Sequence, residues 1–473
     1  MCLIPTVLRT RYAQREYFGP SLTGLVKVRD LLSDAPPASS SPAHHDNLDR
    51  LPGGCDLVRS PAVRNLPAVP RRGRVARQWN ASCDTRTARE RELPLVFGVD
   101  QKGILPDHMI AALARDGAIL PAQRLQPDQI QPASLDLRLG EVAYRVRASF
   151  LPGPGTTVAE RIQELKLHEI ILSPGAVLET GCVYIVPLIE SLALPEDLAG
   201  AANPKSSTGR LDVFTRVIAD KTRGFDRIKP GYHGPLFAEI SPRTFPVLVR
   251  TGSRLSQLRF RHGHAQLDSD ALRGLHAREG LVDDARADVS EGIAVSVDLS
   301  ASIPSLFTSA GATSRGAVVG FRAKHHTGLI DVERRAAYDV GDFWEPIYSR
   351  TDRSLILDPD EFYILASKEA VQVPPDYAAE MVPFDPLVGE FRVHYAGFFD
   401  PGFGHVTAGG SGARAVLEVR SREVPFILEH GQIVGRLIYE RMLQRPSTLY
   451  GDGLGSNYQA QGLKLSKHFR AQP

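Results

Sequence analysis

After about residue 98, hydrophobic and polar positions follow one another in short runs, and glycine or proline separates most of these runs. Short apolar runs at close spacing are typical of the strands of a barrel or sandwich, not of a doubly wound sheet. Residues 106–113 differ, because they space apolar side chains on one helix face, with Asp107 placed to cap or start the helix. The pattern therefore predicts a mainly β protein with a few short helices. The clearest predicted strands are 176–188, 236–240, 246–250, 255–260, 415–419 and 433–439.

The landmarks of this pattern occur twice along the chain. Three of them recur at one spacing, since 376−197, 418−239 and 431−252 all equal 179. The copies also start alike, with Ser-Leu-Asp-Leu at 134–137 and Ser-Val-Asp-Leu at 296–299. One shift shared by three landmarks indicates an internal duplication. The pairs are Asp197 with Asp376, Glu239 with Glu418, and Gly252 with Gly431.

The duplication predicts two domains, at 98–262 and 290–473, joined by a linker at 263–289 that is rich in His, Asp, Arg and Gly. Residues 1–97 precede them as a basic extension, predicted to be disordered. Its first 95 residues contain 15 Lys and Arg against 9 Asp and Glu, a net charge of +6 in a chain whose total is +2. A nucleic-acid arm has this character, but a disordered extension or an upstream translation start also explains it. We favour the latter explanations and expect no nucleic-acid partner.

The composition indicates an ordinary soluble protein, with 42% hydrophobic and 23% charged residues. No apolar run reaches about 18 residues, so we expect no membrane span. The start of the chain shows no long apolar leader with a cleavage site, so we expect no secretory signal. The four cysteines form no C-x-x-C pair, which suits a reducing cytoplasm.

Residues 205–210, Lys-Ser-Ser-Thr-Gly-Arg, concentrate an ammonium, three hydroxyls and a guanidinium in six positions. Phosphate oxygens need many donors and positive charge, which hydroxyls, backbone N–H groups and the arginine fork supply. The segment is not a P-loop, because G-x-x-x-x-G-K-[ST] is absent. A polar turn before a helix explains the same residues without a ligand, so the motif alone leaves both interpretations open.

Residues 396–404, Ala-Gly-Phe-Phe-Asp-Pro-Gly-Phe-Gly, predict a hairpin or tight loop. The glycines permit close approach of the backbone, and Pro401 fixes its own φ. Asp400 stands among phenylalanines, where a carboxylate needs a partner. That partner is either a hydroxyl or amino group of a ligand or the backbone of the turn itself.

Glu418 lies in the otherwise apolar strand predicted at 415–419, and Glu239 is placed similarly in the first copy. Burial raises the pKa of a carboxylate toward the range that is useful for proton transfer. The alternative is that each side chain points to solvent from the polar side of its strand. Near the C-terminus, 450–462 combine glycines and polar residues with two tyrosines and two glutamines, which suits a closing flap or a disordered tail.

Taken in order, the segments 131–140, 205–210, 396–404 and 450–466 resemble the dCTP deaminase branch of the trimeric dUTPase superfamily. The match covers roughly 98–473. The resemblance implies two tandem dUTPase-like distorted β-barrel domains of the β-clip type, with sites between neighbouring barrels in a homo-oligomer. It also implies hydrolytic deamination of dCTP to dUTP and ammonia, which feeds dUMP and dTTP synthesis.

The resemblance implies roles for individual residues. Ser206, Ser207 and Arg210 match the motif that holds the triphosphate and the catalytic water, with Lys205 at a basic position beside it. Glu418 matches the carboxylate that activates water. The remaining substrate-binding positions are Ala396 and Asp400 in the loop for cytosine and sugar, and Tyr450, Tyr458 and Gln461 in the closing tail.

Each copy lacks part of this set. The first has Lys229 where the second has Asp400, and the second has Pro-Phe-Asp-Pro-Leu at 383–387 in place of Ser-Ser-x-x-Arg. In the tail, Asn457 stands where the family pattern favours Lys. We therefore predict one composite site per chain, with phosphates on the first copy and base and sugar on the second; whether the two copies of a site belong to one chain or to neighbouring chains stays open. Glu418 is favoured over Glu239 as the active carboxylate.

Zinc deaminases carry H-x-E and P-C-x-x-C, and neither motif occurs in this sequence. We therefore expect no zinc and no metal ligands from the protein, with Mg²⁺ bound only through the substrate triphosphate. Two rivals stay open. One is a dUTPase or a bifunctional deaminase–dUTPase on the same scaffold, and the other is a non-catalytic nucleotide-binding regulator.

Overall fold

A computed structural model of the chain describes residues 98, 101–300, 316–383, 391–394, 397–421, 423–451 and 461–470. Several sequence predictions lie outside these residues, namely the extension at 1–97, Ala396, Asn457 and Tyr458. The segment 383–387 is described only at its first residue, by its backbone.

The described residues form 26 β-strands, five short α-helices and one 3₁₀ helix. The strands of the first half are β1 Gly103–Ile104, β2 Ile119–Pro121, β3 Ile130–Gln131, β4 Ser134–Arg138, β5 Val142–Val146, β6 Lys166–Ile171, β7 Ala176–Leu178, β8 Val183–Ala193, β9 Leu198–Pro204, β10 Val213–Ala219, β11 Arg227–Ile228, β12 His233–Pro242, β13 Val247–Val249 and β14 Arg254–His262. Those of the second half are β15 Ile293–Ser296, β16 Val318–Ala323, β17 Ile330–Asp331, β18 Trp344–Tyr348, β19 Ser354–Leu357, β20 Phe362–Val371, β21 Tyr377–Pro383, β22 Phe391–His394, β23 Phe398–Phe399, β24 Ala413–Ser421, β25 Phe426–Glu429 and β26 Ile433–Arg441. The helices are α1 Asp107–Arg115, α2 Val158–Leu165, α3 Ser206–Gly209, α4 Ser269–Glu279 and α5 Val340–Phe343, and the 3₁₀ helix is Val406–Ala408.

The prediction of a mainly β fold is confirmed, and every predicted strand coincides with one or two observed strands. The run at 176–188 forms two strands, because a turn separates β7 from β8. Helix α1 begins at Asp107 as predicted, but this carboxylate does not cap it. The Asp107 side chain instead accepts hydrogen bonds from the backbone N–H groups of Ser447 and Thr448, at 2.8 and 3.0 Å. It thereby holds the chain just before the C-terminal tail.

Each half of the chain builds two larger sheets; one core cluster combines residues of both halves, such as Phe245 and Trp344, and a second lies within 267–439. In the first half the sheets have the orders β11-β9-β14-β4-β3 and β10-β12-β8-β5-β6. In the second half they have the orders β15-β26-β21-β23 and β18-β16-β20-β24-β22. Alternating side chains of these strands fill the interiors, as expected for distorted barrels. We refer to the two halves as the first and the second barrel.

The two barrels pair their strands in the same register at the 179-residue spacing. Strand β14 pairs antiparallel with β9, and β26 pairs antiparallel with β21. In the first pair of strands Leu258 lies opposite Ala202, and in the second Leu437 lies opposite Met381. Leu437 follows Leu258 by 179 positions, and Met381 follows Ala202 by 179 positions. The candidate carboxylates also correspond, since Glu239 lies opposite Ile185 and Glu418 opposite Ile364.

The described residues of the two barrels belong to one compact unit. Strand β17 of the second half pairs in parallel with β13 of the first, where Val247 lies opposite Ile330. The predicted linker at 263–289 contains helix α4, whose Leu272 and Leu275 are buried in the core of the second barrel. Among the described residues, no helix is long and apolar enough to cross a membrane.

Candidate active site

A cavity of about 620 Å³ lies between the two barrels, and its walls come from both. It gathers eight of the ten residues that the sequence predicts for the site. The other two, Ala396 and Tyr458, lie outside the described residues. Those that line the cavity are Lys205, Ser206, Ser207, Arg210, Asp400, Glu418, Tyr450 and Gln461.

The phosphate motif is a single helical turn that follows β9. Its backbone is fixed because Lys205 N–H donates to Leu255 O at 2.9 Å, and Arg210 N–H to Ser206 O at 3.1 Å. The Lys205 ammonium forms an ion pair with Asp136, a residue of the repeated Ser-x-Asp-Leu segment on β4. The turn thus presents hydroxyls and cationic groups to one cavity, which is the arrangement that anionic oxygens require.

Arg210 connects this turn to the C-terminal tail and to the second barrel. Its side chain is buried, and both Nη atoms donate to Gln461 Oε1 at 3.2 Å. Nη1 also donates to Lys464 O at 2.9 Å. On the other side, Arg210 Nε lies 3.9 Å from Glu418 Oε1, which places a guanidinium of one barrel beside a carboxylate of the other.

Glu418 is 5% exposed on β24, so it does not point to bulk solvent. Burial raises the pKa of this carboxyl to about 8; the Arg210 charge opposes the rise and Asp212 adds to it. Glu239 is also buried, but it does not line this cavity, and Arg216 Nε donates to it at 3.1 Å. In the first barrel, Glu239 is therefore paired with an arginine of the same barrel. In the second barrel, Glu418 faces the cavity.

Asp400 is buried in the loop that follows β23. The sequence left its partner open, and the structure supplies one that sequence reasoning missed, because Arg259 Nη2 donates to Asp400 Oδ1 at 3.2 Å. Burial raises the pKa of Asp400, and the Arg259 guanidinium opposes that rise. The loop is packed by edge-to-face rings, with the Phe399 and Phe403 centroids 5.0 Å apart and Tyr450 tilted 5.7 Å from Phe403.

Two glycines let this loop pack against its surroundings. Gly402 has φ +95° and Gly404 has φ +65°, a region that favours glycine. A Cβ on Gly402 would lie 2.9 Å from Leu449 Cβ, and one on Gly404 would collide with the Val371 carbonyl oxygen. The predicted need for close backbone approach is met at these two positions.

Residues 461–470 form an ordered wall of the site. Ser466 Oγ donates to Ser207 O at 2.8 Å, directly on the phosphate motif. Leu463, Leu465 and Phe469 are buried in a core that also contains Trp344. This segment therefore packs as structure. The closing flap or disordered tail is predicted for 450–462, of which the structure describes 450, 451, 461 and 462.

Several residues that line the cavity were not predicted as site residues from the sequence. Lys467 is one, and burial together with the Lys205 and Arg335 charges lowers the pKa of its ammonium to about 8. Asp136 is another, and the sequence analysis included it only within the repeated segment 134–137 and the resemblance segment 131–140. Arg259 does not line the cavity, and the sequence analysis included it only within the predicted strand 255–260. A comparison of copies would have marked Arg259, because position 438, which is 179 residues later, is Ile438.

Profiles of one protein family match both halves of the chain. That of the 2'-deoxycytidine 5'-triphosphate deaminase N-terminal domain matches residues 101–264, and that of the C-terminal domain matches 268–469. A dCTP deaminase of Haloarcula marismortui is 31% identical over 181 residues, which are 37% of this chain and 87% of that protein. The chain belongs to the dCTP deaminase family.

Other members of the dCTP deaminase family extend this likeness. The crystal structure of a 2'-deoxycytidine 5'-triphosphate deaminase from Agrobacterium tumefaciens is 62% identical, covering 72% of this chain and 99% of that one, with a TM-score of 0.67. A "dCTP deaminase, dUMP-forming" of Parafrankia is 35% identical over 133 residues, 27% of this chain and 61% of that protein. The resemblance to dCTP deaminases inferred from the four sequence segments is thereby confirmed.

Proposed function

We propose that the protein hydrolyses dCTP to dUTP and ammonia, the reaction named for its relatives in the dCTP deaminase family. One observation carries the proposal. Arg210 of the first barrel and Glu418 of the second lie 3.9 Å apart in a cavity shared by both barrels of a single chain. The cavity therefore combines a phosphate-type turn with a carboxylate suited to proton transfer, as the composite site predicted from sequence requires.

In the proposed mechanism, Glu418 takes a proton from a water held near Ser206 and Arg210. The resulting hydroxide forms a bond to C4 of cytosine, and Glu418 gives the proton to N3, so that C4 becomes tetrahedral and carries both a hydroxyl and the amino group. Glu418 then takes the proton of the C4 hydroxyl and passes it to the amino group, which leaves as ammonia while the C4 carbonyl forms. The C4–N4 bond then breaks, so that dCTP and water yield dUTP and ammonia. A carboxyl with a pKa of about 8 is suited to both steps, because it gives and takes a proton near neutral pH.

The other cavity residues bind and orient the substrate in this scheme. Lys205, Ser206, Ser207 and Arg210 hold the triphosphate, and Asp400 lies at the cytosine and sugar end. Tyr450 and Gln461 belong to the tail that covers the site, and Gln461 already contacts Arg210 at 3.2 Å. The same roles would extend to Ala396 and Tyr458, which the sequence assigns.

The proposal gives no step to a protein-bound metal. The whole sequence lacks the H-x-E and P-C-x-x-C motifs, and the described residues contain no cluster of three or more His, Cys, Asp or Glu side chains that could hold an ion. Mg²⁺ would bind through the triphosphate oxygens of the substrate and neutralise part of their charge. The residues of the phosphate turn then share the remaining charge with it.

The proposal extends to the organisation of the protein. The common register of the barrels at 179 residues supports a tandem repeat in which each copy has kept a different part of the site. Threefold packing of single barrels does not close with two barrels in each chain, so we propose a homo-oligomer of several chains. We also propose that the protein is a cytoplasmic enzyme of nucleotide metabolism. In this proposal it binds dCTP and binds neither nucleic acid nor membrane.

Product analysis tests the reaction. The full chain is incubated with dCTP, dUTP or CTP in the presence of Mg²⁺, and ammonia and nucleotides are quantified. We expect equal amounts of dUTP and ammonia from dCTP. Tight binding of dCTP without any product would instead identify a nucleotide-binding regulator and reject the enzymatic proposal.

A second activity is favoured by one relative, the Parafrankia protein that is described as dUMP-forming. Hydrolysis of the α–β phosphate link requires an oriented water, and Asp400 is a carboxylate that lines the same cavity. The same incubation separates the two activities, because a bifunctional enzyme releases dUMP from dCTP and a deaminase stops at dUTP. Added dUTP should remain intact if deamination is the sole activity.

A further inference from the structure

Arg259 is a fully buried arginine that crosses from one barrel to the other. It lies on β14 of the first barrel, its exposed fraction is 0%, and its side chain ends among groups of the second barrel. Nη1 donates to Ala379 O at 3.2 Å, and Nη2 donates to Phe399 O at 3.3 Å. Both acceptors belong to the paired strands β21 and β23, which carry the Asp400 loop.

The same guanidinium holds the carboxylate of that loop. Nη2 donates to Asp400 Oδ1 at 3.2 Å, and the guanidinium carbon lies 4.0 Å from the centre of the Phe398 ring. The fork of an arginine fixes direction as well as charge, because its donors are coplanar. Arg259 therefore determines both where the loop backbone lies and which way the Asp400 carboxylate faces.

We infer that Arg259 is a positioning residue through which the first barrel organises the substrate-recognition loop of the second. This inference rests on the proposed function and deepens it. It adds Arg259 of the first barrel to the residues that form the cytosine and sugar end of the site. The repeat supports it, because the position equivalent to Arg259 in the second barrel is Ile438. At this repeat position, therefore, only the first barrel contributes an arginine, and this arginine contacts the barrel that carries Glu418.

The inference has a consequence for pH. Three carboxylates surround Arg259, namely Asp400, Glu440 at 3.9 Å and Glu380, while Lys205 and Asp136 also act on Asp400. Burial raises the pKa of Asp400 and Arg259 lowers it, so removal of Arg259 would raise that pKa further. Asp400 would then lose its charge at a higher pH than in the unchanged protein.

The first experiment measures loop order without any nucleotide. Amide hydrogen exchange of the full chain is followed in peptides that cover 397–408, in Arg259→Met and in Arg261→Met. Arg261 is the matched control, because it lies two residues along the same strand and pairs with Glu440 at 2.5 Å. We expect about 10-fold faster exchange of the loop in Arg259→Met and little change in Arg261→Met. Equal acceleration in both variants, or in neither, overturns the inference.

The second experiment uses dCTP and the Glu418→Gln background, in which the proposed function predicts binding without turnover. At neutral pH, Arg259→Met should weaken dCTP binding by about 10- to 100-fold, because the acceptor is misplaced and more often protonated. The pH below which affinity falls should move upward in Arg259→Met and stay fixed in Arg261→Met. A uniform loss of affinity at every pH would contradict the electrostatic part of the inference.

The two experiments separate the inference from the proposed function. If dCTP does not bind at all, the proposed function fails, and the exchange measurement still decides the role of Arg259. If Arg259→Met does not fold, Arg259→Lys replaces it. That variant retains the charge and loses the fork, so loop exchange should accelerate while the pH dependence of dCTP binding stays near that of the unchanged protein. An unchanged loop in Arg259→Lys would count against positioning by the fork.

Discussion

Glu239 and Glu418 occupy the same position in the two barrels, but their surroundings differ. In the first barrel, Arg216 donates to Glu239, and its guanidinium carbon lies 3.4 Å from the centre of the Phe225 ring. In the second barrel, Glu418 faces the shared cavity with Arg210 of the first barrel 3.9 Å away. One fold position thus supports an internal ion pair in one copy and a candidate proton carrier in the other.

The difference is the one expected if, as proposed above, a duplicated barrel divides one site between its copies. A buried carboxylate is stable when an arginine of its own barrel occupies it, and it then has little capacity for chemistry. Glu418 instead lines the cavity with its cationic neighbour 3.9 Å away, so its carboxylate stays open toward a ligand. The predictions below compare equivalent residues of the two barrels, beginning with the largest expected effect.

The first comparison replaces each carboxylate by its amide. Glu418→Gln should lower the rate of ammonia release by about 1,000-fold or more, because the amide cannot carry the proton between water and base. Binding of dCTP should change only several-fold, since the shape and hydrogen-bonding capacity of the side chain are nearly kept. Ammonia release and calorimetric binding provide the two measurements.

Glu239→Gln is the matched control for this comparison. It should keep most of the turnover, because Glu239 does not line the cavity. Substantial activity in Glu418→Gln combined with loss in Glu239→Gln would reverse the assignment of the active carboxylate.

The second comparison concerns the arginines beside the two carboxylates. Arg210→Gln should lower kcat/KM for dCTP by about 100-fold, because a charge-assisted contact at the reacting end is lost. Glu418 must be ionised to accept a proton, so kcat/KM of the unchanged enzyme should rise with pH up to about 8. Arg210 lowers that pKa, so the rise should move to higher pH in Arg210→Gln. Arg216→Gln should leave the pH profile unchanged, and a shift there would contradict the division between the barrels.

The outline of the fold followed from the sequence, and eight of the residues predicted for the candidate site line one cavity. Short alternating runs predicted the strands, and the constant spacing of 179 residues predicted the correspondence that places Glu239 and Glu418 at equivalent positions. Local chemistry also identified Lys205 to Arg210 and Asp400, because these residues concentrate charge in unusual surroundings. The shared strand register of the two copies then places residues 179 positions apart at equivalent positions in the two barrels.

The partners of these residues did not follow from the sequence. Arg259 and Asp400 are 141 positions apart, and no local pattern links an arginine on one barrel to a loop on the other. The packing of 461–470 was missed for a similar reason. Its short polar sequence has no strand or helix period, and its stability comes from Leu463, Leu465 and Phe469 entering an existing core.

The third comparison tests the close packing of the Asp400 loop. Gly404→Ala should destabilise the protein by about 3 kcal/mol, because the Cβ adds a backbone collision to the strain of a positive φ. Gly409 is the control, since it has φ +75° and no described atom within 4 Å of an added Cβ. Gly409→Ala should cost about 1 kcal/mol, from backbone strain alone. Denaturant unfolding measures both, and equal losses would show that the collision is relieved by movement of the loop.

The smallest expected effect concerns the tail, residues 461–470. This segment follows the second barrel along the chain and packs against the helical turn at 205–210 of the first barrel. His468 is 1% exposed, and its ring contacts Ser466 Oγ at 2.9 Å and Val332 O at 3.0 Å. Burial lowers the pKa of this imidazole to about 4, and the Lys467 and Arg335 charges act in the same direction.

An unfolded or released tail therefore binds a proton more readily than the docked tail. Docking should be strongest above pH 6.5, the ordinary value for histidine, and should weaken as the pH falls from there toward 4. Hydrogen exchange in peptides covering 461–470 should thus accelerate between pH 6.5 and 5 beyond the intrinsic change in exchange rate. His468→Gln, which cannot titrate, should remove this pH dependence even if it weakens docking at every pH. If the acceleration persists in His468→Gln, another group controls the tail, and the buried imidazole serves packing alone.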